Sequence, residues 1–207
     1  MKIAVLTSSR ADYSILYPLL VKLKKDKNFD LNIIAFGSHL SDKHGRTIEL
    51  IKKDGFKIRD NFKTIPLADT PLAISNSIGI TIISFAKIWN KEKYDLILAI
   101  GDRYEMFAAC TSSIPFNIPI AHIHGGETTK GAFDDCFRHS ITQMSTIHFT
   151  ATEKYKNRVI ELKGNKKNVH NVGALSIDNL KSLKLYSKKE FKNIFNIDIS
   201  FDNNLLP

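Results

Sequence analysis

Cysteine is scarce in this sequence of 207 residues, since only Cys110 and Cys136 occur. Neither lies in a spacing typical of a metal-binding knuckle or of a disulfide framework, and both fall in stretches with a helical pattern. This excludes a small scaffold held together by disulfide bonds. We expect both thiols to be reduced and partly buried.

Long apolar runs and a leader sequence are missing as well. On inspection, no stretch approaches the roughly 20 apolar residues that cross a bilayer. Met1 and Lys2 lead directly into a predicted strand rather than into a signal peptide. We therefore expect a soluble, cytoplasmic protein without a membrane partner. Its hydrophobic content of 43% is enough for one substantial core and a short appendage.

The usual phosphate-binding loops of nucleotide enzymes are also absent. The sequence has no Gly-x-Gly-x-x-Gly and no Walker A lysine, so neither a nicotinamide enzyme nor an NTPase is predicted, and no cofactor is expected. The formal net charge is +9, but the lysines are scattered and mixed with Asn and Ile rather than with aromatic residues. This distribution favours solvated faces over a nucleic-acid surface, whereas a small anionic ligand needs only a few positive groups.

What the sequence does contain is a regular alternation of short apolar runs and amphipathic stretches. This pattern predicts an α/β fold, with a Rossmann-like parallel sheet that carries helices on both faces. The predicted strands are 2–7, 31–36, 56–62, 95–100, 119–123, 147–151 and 169–173. The predicted helices are 14–25 (with Pro18 delaying or kinking it), 47–53, 71–90 (interrupted by Gly79), 104–116, 134–146, 152–162, and one or two within 176–195.

The regular pattern fades after Gly173. Residues 176–195 are rich in Lys and Leu, and no further packed element is predicted over 196–207. We therefore expect a Rossmann-like domain over residues 1–178. Residues 179–207 are expected to be a linker or the truncated start of a second domain.

Polar clusters follow several predicted strands, at the edge where open parallel sheets bind ligands and helix N-termini present partial positive charge. The first cluster includes Ser9 and Arg10, which are predicted either to cap the next helix or to bind phosphate. The second places Asp102 and Arg103 directly behind a strand. Asp102 is either the N-cap of the helix that begins near Tyr104 or a functional carboxylate.

The third cluster has the sequence His-Ile-His-Gly-Gly-Glu, and the two-residue period of a strand places His122 and His124 on one face. Two histidines in this relation could bind zinc, but no third ligand with suitable spacing follows, so no metal is predicted. One of the pair is expected to be a hydrogen-bonded core histidine. Gly125 and Gly126 let the backbone turn sharply or approach a ligand, and Glu127 follows them.

The fourth cluster opens a predicted helix, where Asp134 and Arg138 are spaced i, i+4 and are expected to lie side by side. An acidic residue in a first turn is often only a favourable match to the helix dipole. Each cluster alone is ambiguous. Four clusters on the same rim of one sheet favour a functional site.

The segments SSRADYS, GDRYEMFA, HIHGGET and FDDCFRHSITQMSTIHF together resemble the hydrolysing UDP-N-acetylglucosamine 2-epimerases of bacterial sialic-acid and related nonulosonate pathways. Their order and spacing match over most of residues 1–180, and the combination is specific although each segment alone is weak. The resemblance implies the N-terminal half of a two-domain architecture of the glycosyltransferase B type, with a UDP-sugar in the cleft between two Rossmann-like halves. It also implies that UDP leaves by anti elimination to give a glycal, to which water adds to yield the free 2-epimeric sugar.

By this resemblance, Asp102 and Asp134 occupy the positions of essential acidic residues, and Arg138 that of their ordering partner. Many relatives have Glu where this sequence has His124, so proton transfer is assigned either to His124, whose imidazole suits it near neutral pH, or to Glu127. Arg10 matches a residue near the diphosphate. The remaining residues expected to contact substrate are Ser9, Arg103, His122, Gly125 and Gly126.

The leading interpretation is conversion of UDP-N-acetylglucosamine and water to N-acetylmannosamine and UDP, for sialic-acid-type sugar synthesis. A UDP-2,4-diacetamido-2,4,6-trideoxy sugar of the legionaminic-acid branch is the alternative substrate. A glycosyltransferase of the same architecture and a non-catalytic module are the competing classes. We expect a homodimer or higher homo-oligomer, and we expect residues 1–207 alone to be inactive.

Overall fold

The protein is built on one parallel β-sheet. The computed structural model describes residues 1–64, 68, 70–129, 133–182 and 186–197. Within these residues the sheet has seven strands in the order β3-β2-β1-β4-β5-β6-β7, and every neighbouring pair is parallel. The strands are β1 Lys2–Thr7, β2 Asp30–Phe36, β3 Ile58–Phe62, β4 Leu96–Ile100, β5 Ile120–Ile123, β6 Ile147–Thr150 and β7 Val169–Asn171.

Helices connect successive strands. They are α1 Arg10–Lys25, α2 Ile48–Lys53, α3 Pro71–Lys91, α4 Tyr104–Ser113, α5 Asp134–Met144, α6 Glu153–Lys163, α7 Leu175–Ser182 and α8 Lys188–Phe195. Short 3₁₀ turns lie at Gly37–Leu40, Asp42–His44 and Ile114–Phe116. The predicted loop at 65–70 lies largely outside the described residues, as do residues 198–207.

The strand order explains why helices cover both faces. From β1 the chain builds outward to β3, and α3 then returns it to β4, on the other side of β1. Because parallel crossovers are right-handed, the helices that connect β1 to β3 lie on one face of the sheet, and those that connect β4 to β7 lie on the other. Leu6, Ile34, Ile97 and Ile120 of the central strands are fully buried. The predicted Rossmann-like α/β fold is confirmed, and the reversal between β1 and β4 opens a crevice at the carboxyl ends of the strands.

Helix α1 begins earlier than its sequence pattern predicts. Ser9 is its N-cap, with a side chain that accepts a hydrogen bond from the Asp12 amide, and the helix starts at Arg10 rather than at residue 14. Pro18 lies inside the helix and leaves the carbonyl of Ser14 without its usual i+4 donor. The side-chain amide of Asn179 in α7 donates to that carbonyl at 3.1 Å. The proline is therefore accommodated by a tertiary contact, and α7 packs against α1.

Helix α3 corrects another expectation. It continues through Gly79 without interruption, and by length and composition it is apolar enough to cross a membrane. The statement that no stretch approaches that length is therefore wrong. In this structure α3 packs on the sheet and on α4, with Phe85 and Trp89 buried in the core while Ile80 and Ile83 stay exposed. Its buried face is that of a covering helix in an α/β layer.

The two cysteines are free, in agreement with the sequence, but neither is partly buried as expected. Cys110 in α4 is completely buried, and Cys136 in α5 is exposed. Cys110 therefore lies on the face of α4 that packs on the core, and Cys136 lies on the face of α5 that is turned to solvent. The proposed boundary between residues 178 and 179 falls inside α7 and stays a proposal.

Candidate functional site

The carboxylate of Asp102 is bound from two sides at the carboxyl end of β4. Gly101 turns the backbone there with a φ of +76°. The Arg138 guanidinium donates to Asp102 Oδ2, and the hydroxyl of Thr129 donates to the same oxygen at 2.9 Å. The N-cap of α4 is Arg103, without a side-chain capping bond. Asp102 is therefore not a helix cap, and its charge is held at the rim of the sheet.

Arg138 links three elements of the rim and is only 5% exposed. Besides Asp102, its Nη1 donates to the carbonyl of His124 at 2.9 Å. Nη1 also lies 3.8 Å from the carboxylate of Glu127, and Nε lies 3.9 Å from that of Asp135. Because a guanidinium offers five donors in a rigid plane, one side chain can fix several acceptors at once.

Asp134 and Arg138, which are predicted to lie side by side, are close enough for the guanidinium to act on the pKa of the Asp134 carboxyl, but the described residues show no direct ion pair between them. Among the described residues, the carboxylates within ion-pair distance of Arg138 are Asp102, Glu127 and Asp135. Asp135 lies at i, i+3 and also accepts from the Thr129 amide at 2.8 Å. The first turn of α5 therefore directs Asp135, rather than Asp134, toward the guanidinium.

Asp134 stays close enough to this network to respond to its charges. Partial burial raises the pKa of its carboxyl, and the neighbouring negative charge of Asp102 raises it further, against smaller opposing effects of Arg103 and Arg138. A carboxylate with a raised pKa binds protons more strongly than an ordinary surface carboxylate. Asp134 is thus a stronger base than an unperturbed aspartate.

The two histidines of the third cluster do not share a face. Strand β5 ends at Ile123, and His124 takes a left-handed conformation with a φ of +64°. The two-residue period of the strand therefore stops before His124. The His124 Nδ1 contacts Glu127 Oε1, while its Nε2 is buried without a hydrogen-bond partner among the described residues.

His122 is the core histidine that the sequence analysis expects of one of the pair. It is fully buried, with Nε2 against the Gly101 carbonyl at 2.8 Å and Nδ1 against the Thr142 hydroxyl at 3.1 Å. Burial lowers its pKa to about 3, so the ring is neutral near pH 7. His122 joins the ends of β4 and β5 to α5, which suits a positioning role.

Gly125 and Gly126 form a turn in which neighbouring atoms leave no room for a Cβ. A Cβ on Gly125 would lie 3.0 Å from the His122 ring, and a Cβ on Gly126 would lie 2.4 Å from the Tyr155 carbonyl. Gly126 also has a φ of +78°, and its carbonyl accepts from Arg158 at 2.9 Å. These close approaches fix the loop that carries Glu127.

The first cluster lies at the end of β1, on the other side of the crevice. The buried carboxylate of Asp12 accepts from the amides of Ser8 and Ser9, at 2.9 and 3.1 Å. Ser9 caps α1, as one of its two predicted roles requires. Arg10 is exposed at the helix N-terminus, where positive partial charge favours an anion.

Arg103 lies between the two sides of the crevice. Its guanidinium donates to Glu105 Oε1 at 2.9 Å, and Glu105 is 1% exposed. Glu105 is not among the predicted site residues, because a buried glutamate in the first turn of a helix has no recognisable spacing. Thr129 and Arg158 are missed because their partners, Asp102 and the Gly126 carbonyl, are distant in sequence. Asp135 is missed because the i, i+4 spacing favours its neighbour Asp134.

Within the described ranges, no three His, Cys, Asp or Glu side chains are grouped so that they could hold a metal ion. The absence of a metal and of a cofactor from the working protein stays an expectation.

The comparisons with known proteins agree on one family. A family model described as UDP-N-acetylglucosamine 2-epimerase matches residues 21–206. The polysialic acid biosynthesis protein P7 of Escherichia coli is 37% identical over 194 residues, which cover 92% of this chain and 49% of that protein. The GDP/UDP-N,N'-diacetylbacillosamine 2-epimerase (hydrolyzing) of Campylobacter jejuni is 35% identical over 191 residues, covering 92% and 50%. The chain spans about half the length of the curated relatives it matches.

Solved structures show the same fold in half of their length. A UDP-N-acetylglucosamine 2-epimerase crystal structure matches with a TM-score of 0.79 and 17% identity, covering 90% of this chain and 52% of that chain. The Neisseria meningitidis UDP-GlcNAc 2-epimerase, bound to UDP-GlcNAc, matches with a TM-score of 0.75 and 20% identity, covering 95% and 51%. At these identities the likeness concerns the fold alone.

Proposed function

The chain belongs to the UDP-N-acetylglucosamine 2-epimerase family, and from this premise we propose that it supplies the sugar-facing wall of a hydrolysing UDP-N-acetylglucosamine 2-epimerase. The proposed reaction converts UDP-N-acetylglucosamine and water to N-acetylmannosamine and UDP. The observation that carries the proposal is the pairing of Asp102 with Arg138 beside Asp134 and the His124–Glu127 contact, all at one rim. A second half, as long as that of the relatives, completes the cleft in this proposal.

The carboxylates suit the first half of the reaction. Breaking the bond between carbon 1 and the diphosphate develops positive charge on the sugar ring, and the Asp102 carboxylate stabilises such charge. Asp102 Oδ1 has no hydrogen-bond partner among the described residues and is available to substrate. Asp134, whose pKa is raised, takes the proton from carbon 2. The electrons of that C–H bond form the C1–C2 double bond, and UDP leaves with the C1–O pair.

The positive groups suit the diphosphate. Arg10 is exposed at the start of α1, whose first turn presents free amides toward an anion. Arg103 at the N-terminus of α4 is held by Glu105 of the same helix. We assign Arg10 and Arg103 to the polar and anionic parts of the substrate, with Ser9 and the Gly125–Gly126 turn as the backbone wall around it and His122 as its support.

Two sugars remain candidates within this function. The relatives from Campylobacter jejuni and Legionella pneumophila are named for UDP-N,N'-diacetylbacillosamine, which favours a 2,4-diacetamido-6-deoxy sugar. The Neisseria meningitidis relative is named for UDP-N-acetylglucosamine. The name of the Escherichia coli relative supports a place in sialic-acid-type synthesis. We further propose a cytoplasmic homo-oligomer that binds neither nucleic acid nor membrane.

The test is a reaction in deuterated water. A full-length version of the enzyme is incubated with each of the two UDP-sugars, and proton NMR follows UDP, the free sugar and deuterium at carbon 2. We expect UDP release without any acceptor and one deuterium at carbon 2 of the epimerised product. UDP release only with an added acceptor sugar would indicate a glycosyltransferase. No release from either sugar by a folded enzyme would indicate a non-catalytic module and refute the proposal.

A further inference from the structure

We propose that His124 delivers the proton to carbon 2 of the glycal, and that Glu127 is the positioning residue that orients its ring through Nδ1. The inference rests on the proposed function. It assigns separate roles to two residues that the sequence pattern leaves interchangeable, and it places the two proton transfers of the reaction on different elements of the fold.

The ring orientation determines which nitrogen is free. The Nδ1 of His124 contacts Glu127 Oε1, so Nδ1 is occupied. Nε2 is buried and has no hydrogen-bond partner among the described residues, and the side chain as a whole is 14% exposed. A buried nitrogen without a partner costs free energy, and such groups persist where they serve a ligand or a reaction. An imidazole held by a carboxylate through one nitrogen is the arrangement in which the other nitrogen transfers protons.

The backbone at His124 places the ring away from the strand core. The residue follows β5 in a left-handed conformation with a φ of +64°, which is unfavourable for a residue with a Cβ. Two hydrogen bonds hold it there, from its own amide to the Phe149 carbonyl at 3.0 Å and from Arg138 to its carbonyl at 2.9 Å. The bend separates His124 from the buried His122 and brings its ring to Glu127, three residues ahead.

The groups around the ring leave Nε2 as its free nitrogen. The Glu127 carboxylate that contacts Nδ1 is itself held by Arg138, whose Nη1 lies 3.8 Å from its second oxygen. A carboxylate that fixes one nitrogen of an imidazole leaves the other nitrogen to exchange protons with a ligand. The nearby His122 is neutral because burial lowers its pKa to about 3.

Epimerisation at carbon 2 needs two groups, because the proton leaves one face of the ring and returns to the other. Asp134 in α5 serves the removal and His124 beyond β5 serves the return. In the return step, the Nε2–H proton goes to carbon 2, and the electrons of the C1–C2 double bond form the new C–H bond. The oxygen of water bonds to carbon 1, and the proton that water loses restores the imidazolium through the rim carboxylates or solvent.

The experiment separates UDP release from sugar release in a full-length version of the enzyme. Three variants are compared with wild type, namely His124→Gln, Glu127→Gln and Glu127→Asp, and Glu49→Gln in α2 is the matched surface control. Proton NMR measures UDP, free sugar and glycal at early times. Wild type and Glu49→Gln are expected to release UDP and free sugar in equal amounts.

For His124→Gln we expect UDP release within about tenfold of wild type and sugar release at least about a hundredfold lower, so that glycal accumulates. For Glu127→Gln we expect the same direction, and for Glu127→Asp, which keeps the charge, a partial return of sugar release. Synthetic glycal added to wild type is expected to be hydrated, and added to His124→Gln it is expected to remain.

Two results would overturn the inference. Equal loss of UDP and sugar in a folded His124→Gln variant would place His124 in the elimination step. Sugar release by Glu127→Gln at the rate of Glu127→Asp would show that the charge of Glu127 has no role. A folded wild-type enzyme that releases no UDP from either sugar would instead refute the proposed function, and the two failures are therefore distinct.

Discussion

The guanidinium of Arg138 binds the carboxylate of Asp102 and thereby joins α5 to the carboxyl end of β4 across 36 residues of sequence. The same guanidinium donates to the carbonyl of His124 beyond β5. One buried cation thus sets the relative position of the carboxylate that we propose faces carbon 1 and of the imidazole that we propose serves carbon 2. Changes at either end of this contact are therefore expected to lower turnover.

The substitution Asp102→Asn tests the first end. It preserves size but removes the negative charge that stabilises the developing positive charge at carbon 1. Turnover in a full-length version of the enzyme is expected to fall at least about a hundredfold, the usual scale for a positioned acid–base or charged group. UDP release measures turnover, and thermal unfolding checks the fold. Near-normal turnover in a folded variant would reduce Asp102 to a structural acceptor for Arg138.

The substitution Arg138→Lys tests the other end. A lysine keeps the charge but cannot reach Asp102 and the His124 carbonyl in one plane, so at least one buried acceptor loses its donor. We expect turnover to fall at least about tenfold and the free energy of unfolding to fall by about 1–3 kcal/mol. The control is Arg46→Lys, because Arg46 forms an exposed ion pair with Asp42. This control should change neither turnover nor the free energy of unfolding. Turnover unchanged in Arg138→Lys would mean that charge alone, without the guanidinium plane, orders the site.

The fold is predictable from the sequence because its central strands β1 and β4 are nearly continuous apolar runs that end in polar residues or glycine. Strand β4, with Gly101 behind it, is found to within one residue. The carboxyl-end rim follows from the strands, so Asp102, His124 and Asp134 are correctly placed on one edge. Hydrophobic periodicity alone predicts a start of α1 at residue 14, whereas the helix starts at Arg10 because Ser9 and Asp12 form a capping box.

The detailed partners in the site were harder to predict. The i, i+4 rule favours Asp134 as the partner of Arg138. The guanidinium instead extends toward the ends of β4 and β5, where Asp102 and Glu127 lie. On its own helix, Asp135 is the carboxylate within ion-pair distance. The left-handed turn at His124 is likewise set by contacts with Phe149 and Arg138, which are remote in sequence. Local periodicity carries no information on either.

Gly126 gives a prediction about stability. Alanine there would take a left-handed conformation and would place its Cβ 2.4 Å from the Tyr155 carbonyl. Gly164 also has a positive φ, of +67°, but nothing lies within 4 Å of its Cβ position. We expect Gly164→Ala to cost about 1 kcal/mol, for the conformation alone, and Gly126→Ala to cost about 1–3 kcal/mol more, for the overlap. Urea unfolding of both variants measures the difference, and equal costs would contradict the close approach.

Three buried histidines predict loss of stability in acid. Burial lowers the pKa of His122 to about 3, and those of His39 and His148 to about 4. In the unfolded chain their ordinary pKa is about 6.5, so between pH 6.5 and about 4 the unfolded state binds more protons. Their contribution is therefore fully present above pH 6.5 and is lost as the pH falls toward 4, by up to about 1.4 kcal/mol per pH unit for each histidine.

The histidine effect is separable from that of other groups. Asp12 and Asp134 have raised pKa values, mainly through burial, and they act in the opposite direction because the folded state protonates first. His39→Gln should therefore reduce the slope of the unfolding free energy against pH between pH 6.5 and 4. The reduction corresponds to at most one proton, or about 1.4 kcal/mol per pH unit. His44→Gln, at an exposed position, is the control and should leave the slope unchanged. Equal slopes in both variants would show that His39 does not stay neutral in the folded state.

A protein of residues 1–207 alone is expected to fold but not to turn over. Its described sheet has seven paired strands around a buried core, so cooperative unfolding is expected. The resemblance places most uridine and diphosphate contacts in the second half of the cleft, and the chain spans about half the length of its relatives. A ligand on one wall stays hydrated and loses the positioning that elimination depends on.

We therefore expect UDP to bind with a Kd of about 1 mM or weaker, close to 4 kcal/mol, against about 8 kcal/mol for a micromolar site. Calorimetric or NMR titration of UDP measures this, and micromolar binding or UDP release by the isolated chain would show that this half carries the diphosphate site as well.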